Sequence, residues 1–230
     1  MHRLVQAVVR DGLSQNEQAL WIKRVIAAID TAHPGSDFKL WPICAQLLTH
    51  WLQIFEYSSQ MGIQSETLGR VLNQAGVYLS VQGRYKEAEP LYQKALKISK
   101  QLLGNEHLDI GTSLENLAVL LAKQGRFYEA EPLYLEALAI RKQLLGNEHL
   151  DVATNLNNLA TLYNKQGHDS KAEPLYLEAL AMRKRLLGED HSDVAASLSN
   201  LGMLYYNQGR HSQAKKCFQE GASNASTTLG

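Results

Sequence analysis

The phrase LLGNEHLD begins at Leu102 and again at Leu144, and a variant, LLGEDHSD, begins at Leu186, a spacing of 42 residues. The same shift superimposes YKEAEPLYQKAL from Tyr85 on FYEAEPLYLEAL from Phe127 and DSKAEPLYLEAL from Asp169. It also superimposes SLENLAVLLAKQGR from Ser113 on NLNNLATLYNKQGH from Asn155 and SLSNLGMLYYNQGR from Ser197. A fainter copy, VLNQAGVYLSVQGR, starts at Val71. A fixed period of this size is the mark of stacked units, none of which can bury its apolar face alone. The expected organisation is an N-terminal helical segment over 1–62, a degenerate unit over 63–104, and units over 105–146, 147–188 and 189–230.

Each unit reads as two helices, so the fold class is all-α. Leu114, Leu117, Ala118 and Leu121 fall at i, i+3, i+4 and i+7, one apolar stripe. Ala88, Leu91, Tyr92, Ala95 and Leu96 trace a second stripe. Tyr92, Tyr134 and Tyr176 recur at its core-facing position. Gly83, Gly125, Gly167 and Gly209 stand where a left-handed residue ends the first helix, and Gly104 ends the second by the same logic. Pro90, Pro132 and Pro174 fall about five residues into the second helix, where only the first intrahelical bond is lost and the interior penalty of about 3 kcal/mol is avoided.

The Glu-His-Asp cluster invites a catalytic or metal reading, but its position argues for a connector. Asp109, Asp151 and Asp193 open the next helix, where a carboxylate caps free N–H groups and meets the helix dipole. Copies on neighbouring units stand about 8–10 Å apart, far beyond the roughly 2 Å reach of a shared transition metal. No metal and no cofactor is expected.

Charge and cysteine usage narrow the function classes. Lys and Arg number 23 against 23 Asp and Glu, so no global field favours nucleic acid or an anionic membrane. The basic runs IRKQ at Ile140 and MRKRLL at Met182 offer only a small convex patch. Cys44 and Cys217 lack paired-ligand spacing and read as reduced, packing thiols in a cytoplasmic protein. Arg3, Arg10 and Asp11 interrupt any signal core, and no run approaches the ~18–20 apolar residues of a membrane span. GxSxG, HExxH and CxxC are missing, so no enzyme is expected.

Two helices per unit, with NNLA in the first and EAxxLYxxAL in the second, resemble tetratricopeptide repeats. The 42-residue period with its LG-x-x-H-x-D linker is similar to the long-repeat type found in kinesin light chains. That resemblance implies a right-handed superhelical solenoid of antiparallel helix pairs. Leu108, Leu150 and Ser192 stand where that family usually has proline, and no heptad pattern supports a motor-binding coiled coil. HRLVQAVVRDGL at His2 resembles the end of the winged-helix module in bacterial NB-ARC-type signalling ATPases. WIKRVIAAIDTAHP and WPICAQLLTHWLQIFEYSSQMG fit the amphipathic helices that follow it there. No Gly-Lys pair is present, so the phosphate loop of such an ATPase would lie outside this sequence.

In tetratricopeptide repeats the first helices line a peptide groove, and the resemblance carries that expectation to Glu115, Asn116, Val119 and Lys123, then Asn157, Asn158, Thr161, Asn164 and Lys165, then Ser199, Asn200, Met203 and Asn207. Phased against the apolar stripe, the variable members, with Thr112, Thr154 and Ala196, point away from the core. The invariant Asn116, Asn158 and Asn200 are expected to satisfy inter-repeat hydrogen bonds, with donors to spare for a ligand. Lys123 and Lys165 suit the carboxylates of an extended peptide. The expected function is a non-catalytic scaffold for a protein or peptide partner; the alternative is a sensor or autoinhibitory arm of a larger ATPase. Nucleic acid and membrane are not expected partners. Stacking faces at the ends invite end-to-end self-association, and GASNASTTLG gives the last helix a weak, cap-like stripe.

Overall fold

The structure, a computed structural model, describes residues 14–32 and 41–227. Among the described residues it holds ten helices and no strand: α1 Gln15–Ala32, α2 Trp41–Gln60, α3 Glu66–Val81, α4 Tyr85–Leu103, α5 Leu108–Lys123, α6 Phe127–Leu145, α7 Leu150–Lys165, α8 Asp169–Leu187, α9 Ser192–Asn207 and α10 His211–Thr227. The chain divides into two compact units, Met1–Asn105 and Glu106–Gly230. The HRLVQAVVRDGL stretch lies outside the described residues.

In the first unit, α1 opens with a capping box. The Ser14 backbone N–H and hydroxyl both donate to Glu17 Oε2, at 2.9 and 2.6 Å. Its apolar stripe, Ile22, Val25, Ile26 and Ile29, is buried. Helix α2 buries Cys44, Leu47, Trp51 and Ile54, and the Trp51 ring meets Tyr78 of α3 edge-on at 6.0 Å. Arg70 of α3 ties to Asp30 of α1 at 3.0 Å. Helices α3 and α4 pack so closely that a Cβ on Gly76 would lie 2.7 Å from the Tyr92 ring. A side chain there would force the aromatic out.

The second unit is three helical hairpins, α5–α6, α7–α8 and α9–α10, each closed by a three-residue turn. These turns are Schellman motifs, as in α3–α4 of the first unit. In α5–α6, Gly125 has φ +78°, its N–H donates to Ala122 O at 3.2 Å, and the Arg126 N–H donates to Leu121 O at 2.9 Å. The glycines that end the second helices behave differently from the expectation. Gly146 adopts φ 82°, ψ 176° and Gly188 φ 83°, ψ 166°. That extended, positive-φ backbone is open essentially to glycine alone, and it carries the chain away from the helix axis instead of folding it back.

Pro132 and Pro174 sit at the sixth residue of α6 and α8. The first intrahelical bond is intact in both, because Ala130 N donates to Arg126 O and Ala172 N to His168 O. The bond lost is one turn in, to the carbonyls of Tyr128 and Ser170, and both residues are exposed, where solvent can satisfy a free carbonyl. Tyr134 and Tyr176 are buried at 2% and 3% exposure, matching Tyr92 in the first unit at 2%. Cys44 and Cys217 are free, buried thiols, and burial pushes both upward in pKa.

Candidate binding face

The recurring Glu-His-Asp connector resolves into helix starts, with one change of actor. His107, His149 and His191 occupy the N-cap positions in extended backbone, and each imidazole Nδ1 accepts the N–H of the aspartate two residues on, at 3.2, 3.1 and 3.1 Å. Asp109, Asp151 and Asp193 are therefore not the caps. They sit in the first turn, where their charge meets the dipole, with a carboxylate oxygen 3.8, 3.8 and 3.9 Å from the histidine nitrogen. Among the described residues no three His, Cys, Asp or Glu side chains gather as metal ligands.

The first helices of the three hairpins lie beside one another and are stitched by amides. Asn158 Nδ2 of α7 donates to Glu115 Oε1 of α5 at 2.9 Å, and Asn200 Nδ2 of α9 donates to Asn157 Oδ1 of α7 at 3.1 Å. The asparagines thus hold layer to layer. Glu115 and Asn157 are both buried, at 8% exposure each, so these two do not point away from the core. Asn116, Val119, Asn158, Thr161, Asn164 and Asn200 are half-buried, while Lys123, Lys165, Ser199, Met203 and Asn207 are exposed. Thr161 is itself engaged, donating to Asn157 O and accepting the Tyr176 hydroxyl, both at 2.9 Å. The open members therefore form a polar strip with two ammonium groups and one large apolar side chain, Met203.

Behind this strip sit two arginines whose basic runs suggest a convex surface patch. Arg141 and Arg183 are instead buried, at 5% and 7% exposure. Arg141 pairs with Glu115 at 2.7 Å and donates to Asp151 O at 3.2 Å. Arg183, whose pKa burial lowers, donates to Asp193 O at 3.1 Å, to Ser197 Oγ at 2.8 Å and to Thr154 Oγ1 at 3.1 Å. Their burial was legible in phase, since Tyr134, Ala137 and Arg141 share one helical face; the charge of the residue hid it.

A second polar seam joins the back helices to the next hairpin. Glu131 of α6 accepts the Tyr163 hydroxyl at 2.9 Å, and burial together with that carboxylate pushes Tyr163 up to about 12. Glu173 of α8 accepts both ends of the Arg210 guanidinium, at 2.7 and 2.9 Å, which holds its carboxyl below the usual range. Arg126 and Arg210 also donate to Gln124 and Gln208 within their own turns, at 2.9 and 2.7 Å. The turn between α7 and α8 carries His168 instead, and there both side-chain polar atoms of Gln166 are buried without a partner.

Helical hairpins that recur every 42 residues and are tied layer to layer by side-chain hydrogen bonds define a helical-repeat protein. The sequence matches the Tetratricopeptide repeat family over residues 67–126, 109–185 and 171–226, and the chain belongs to that family. The fold is shared with BtubC (BKLC) from P. vanneervenii, with a TM-score of 0.76 and 23% identity over 100% of this chain and 92% of that one. The nearly identical TPR-like repeats of kinesin light chain type from Podosopora anserina superimpose with a TM-score of 0.65 at 18% identity, covering 99% of each chain. In sequence, a nucleotide-binding leucine-rich repeat (NLR)-like protein from Hyaloscypha variabilis is 32% identical over 110 residues, which is 47% of this chain and 11% of that protein. The chain thus spans a small part of that relative's length.

Proposed function

We propose that the chain is a non-catalytic scaffold that binds an extended peptide or a partner helix along the strip formed by α5, α7 and α9. The observation that carries this reading is the arrangement of Lys123 and Lys165, exposed at the same position of successive first helices, beside half-buried Asn164 and exposed Met203. Side chains of this kind offer carboxylate and backbone hydrogen bonding with a shallow apolar contact, the usual terms of groove recognition. Tetratricopeptide repeats generally bind proteins or peptides, and non-catalytic scaffolding is their typical role. No helix among the described residues is long and apolar enough to cross a membrane.

The test is selection of peptides from a displayed library on the full chain, followed by the double variant Lys123→Glu, Lys165→Glu. Loss of the selected peptides supports the strip; undiminished binding of all of them overturns it. A second reading, a repeat arm of a larger nucleotide-binding signalling protein, draws support from the NLR-like relative. The reading frame around this sequence distinguishes the two: a phosphate-loop domain encoded in the same frame favours the arm.

A further inference from the structure

The strip on α5, α7 and α9 advances by a constant step, and that step constrains what can lie along it. Asn158 reaches back 43 residues to Glu115 and Asn200 reaches back 43 residues to Asn157, so the first helices keep one register from layer to layer. Each aligns the same three positions at helical spacing: Asn116, Val119 and Lys123; Asn158, Thr161 and Lys165; Asn200, Met203 and Asn207. The helices that carry Lys123 and Lys165 are packed side by side, with axes roughly 8–10 Å apart. Both lysines are exposed, and neither ammonium has an ion pair among the described residues. Glu115, the acid of these helices outside their first turns, is already held by Arg141 and Asn158. Asp109, Asp151 and Asp193 sit at the opposite helix ends.

The step selects among ligand conformations. A β-strand returns a side chain to one face at roughly 7 Å or 13 Å and misses it. A polyproline II segment returns one every third residue, at roughly 9 Å, and matches. An α-helix matches at every seventh residue, roughly 10 Å, but its backbone groups are already paired and it docks through an apolar face. The strip suits the opposite kind of ligand. Half-buried Asn164 makes no side-chain hydrogen bond among the described residues, so its amide has a donor and an acceptor to offer an unpaired main chain. Met203 is the one large apolar side chain exposed among the strip residues.

We propose that the strip takes a polyproline II peptide with acidic side chains three residues apart, one opposite Lys123 and the next opposite Lys165. Its main chain lies against Asn164, and an uncharged side chain falls at the third step, over Met203 and Asn207. This names the ligand class of the peptide site proposed above and rests on that reading. Each layer reads one residue and passes over two, which are free to be proline.

Fluorescein-labelled peptides of one composition test it, with two Glu placed two, three or four residues apart in a polyproline background, titrated with the full chain and read by anisotropy. The three-residue spacing binds about three- to fivefold more tightly than either neighbour, the worth of one exposed ion pair gained. Lys165→Ala, at an exposed position, brings the three peptides level. Asn207→Lys extends the register: a peptide with a third Glu three residues further on then gains a similar factor over its Gln counterpart, and gains nothing with the unaltered chain. The proposal is overturned if the spaced peptides bind alike or not at all, or if a stapled α-helical peptide with Glu seven residues apart binds more tightly than the best of them. In those cases the strip itself still stands where library-selected peptides are lost with Lys123→Glu, Lys165→Glu. Where neither library nor spaced peptides bind, both readings fall.

Discussion

Two successive seams of the second unit, hairpin α5–α6 against hairpin α7–α8 and hairpin α7–α8 against hairpin α9–α10, are built on one backbone plan with the charges dealt differently. In the first, the acid is buried: Glu115 neutralises Arg141 inside the layer. In the second, the matching position is Asn157, and the acid works at the rim, where Glu173 holds Arg210. Arg183, left without a carboxylate, finds Ser197, Thr154 and a backbone carbonyl instead. The residue matching Ser197 in the first seam is Asn155, fully buried with neither amide atom partnered, because Arg141 has turned to Glu115. A repeat register therefore fixes where polar groups stand but leaves open which pairs they form.

The largest expected effect breaks the first seam. Glu115→Ala strands the Arg141 guanidinium in a buried site and lowers stability by about 3–5 kcal/mol, whereas Asn157→Ala in the second seam removes one neutral bond and lowers it by about 1 kcal/mol. Urea unfolding of the two variants measures the contrast; equal losses would mean the layers do not differ. Next, His168→Arg makes the first seam resemble the second by giving Gln166 a donor and Glu131 a guanidinium. A gain of about 1–2 kcal/mol follows in the same assay, and an unchanged midpoint refutes the reading of Gln166 as an unmet acceptor.

Asn155→Ser copies the second seam's residue into the first and removes a buried amide without partners. It stabilises by about 1 kcal/mol, seen as a higher melting temperature. His149→Ala deletes the Nδ1 acceptor of α7 and lowers stability by about 1 kcal/mol, with faster hydrogen exchange at the Asp151 amide as its local signature.

The smallest effect is the pH response of the rim pair. Arg210 depresses the folded pKa of Glu173 from its ordinary 4.5. Its contribution, below about 1 kcal/mol for a partly exposed pair, is therefore present above that ordinary value and lost as pH falls through the folded value. Glu173→Gln flattens stability across that acid window, and a profile identical to that of the unaltered chain would remove the rim pair from the comparison.

Much of the fold was legible because the period, the apolar stripes and the turn glycines all report backbone and burial. The tyrosines of the second helices and the tolerated prolines follow from the same phase. The details that were missed involve choice among plausible partners. Aspartate is the better general N-cap, so the sequence points to Asp109; the extended backbone at His107 awards the role to an imidazole. Arg141 and Arg183 look like surface residues by type, and only their phase with Tyr134 and Tyr176 reveals a buried guanidinium. Glu115 and Asn157 looked open because they break the apolar stripe, yet the same polarity is what the neighbouring layer binds.

The amide stitches Asn158 to Glu115 and Asn200 to Asn157 each reach across a single period and no further. Among the described residues of the second unit, the principal helix-to-helix contacts likewise join each hairpin to the adjoining one. Cohesion is then nearest-neighbour, and short loops suffice to close every contact. Held under tension, such a stack yields one layer at a time, each peeled hairpin leaving the remainder intact and ready to template its return.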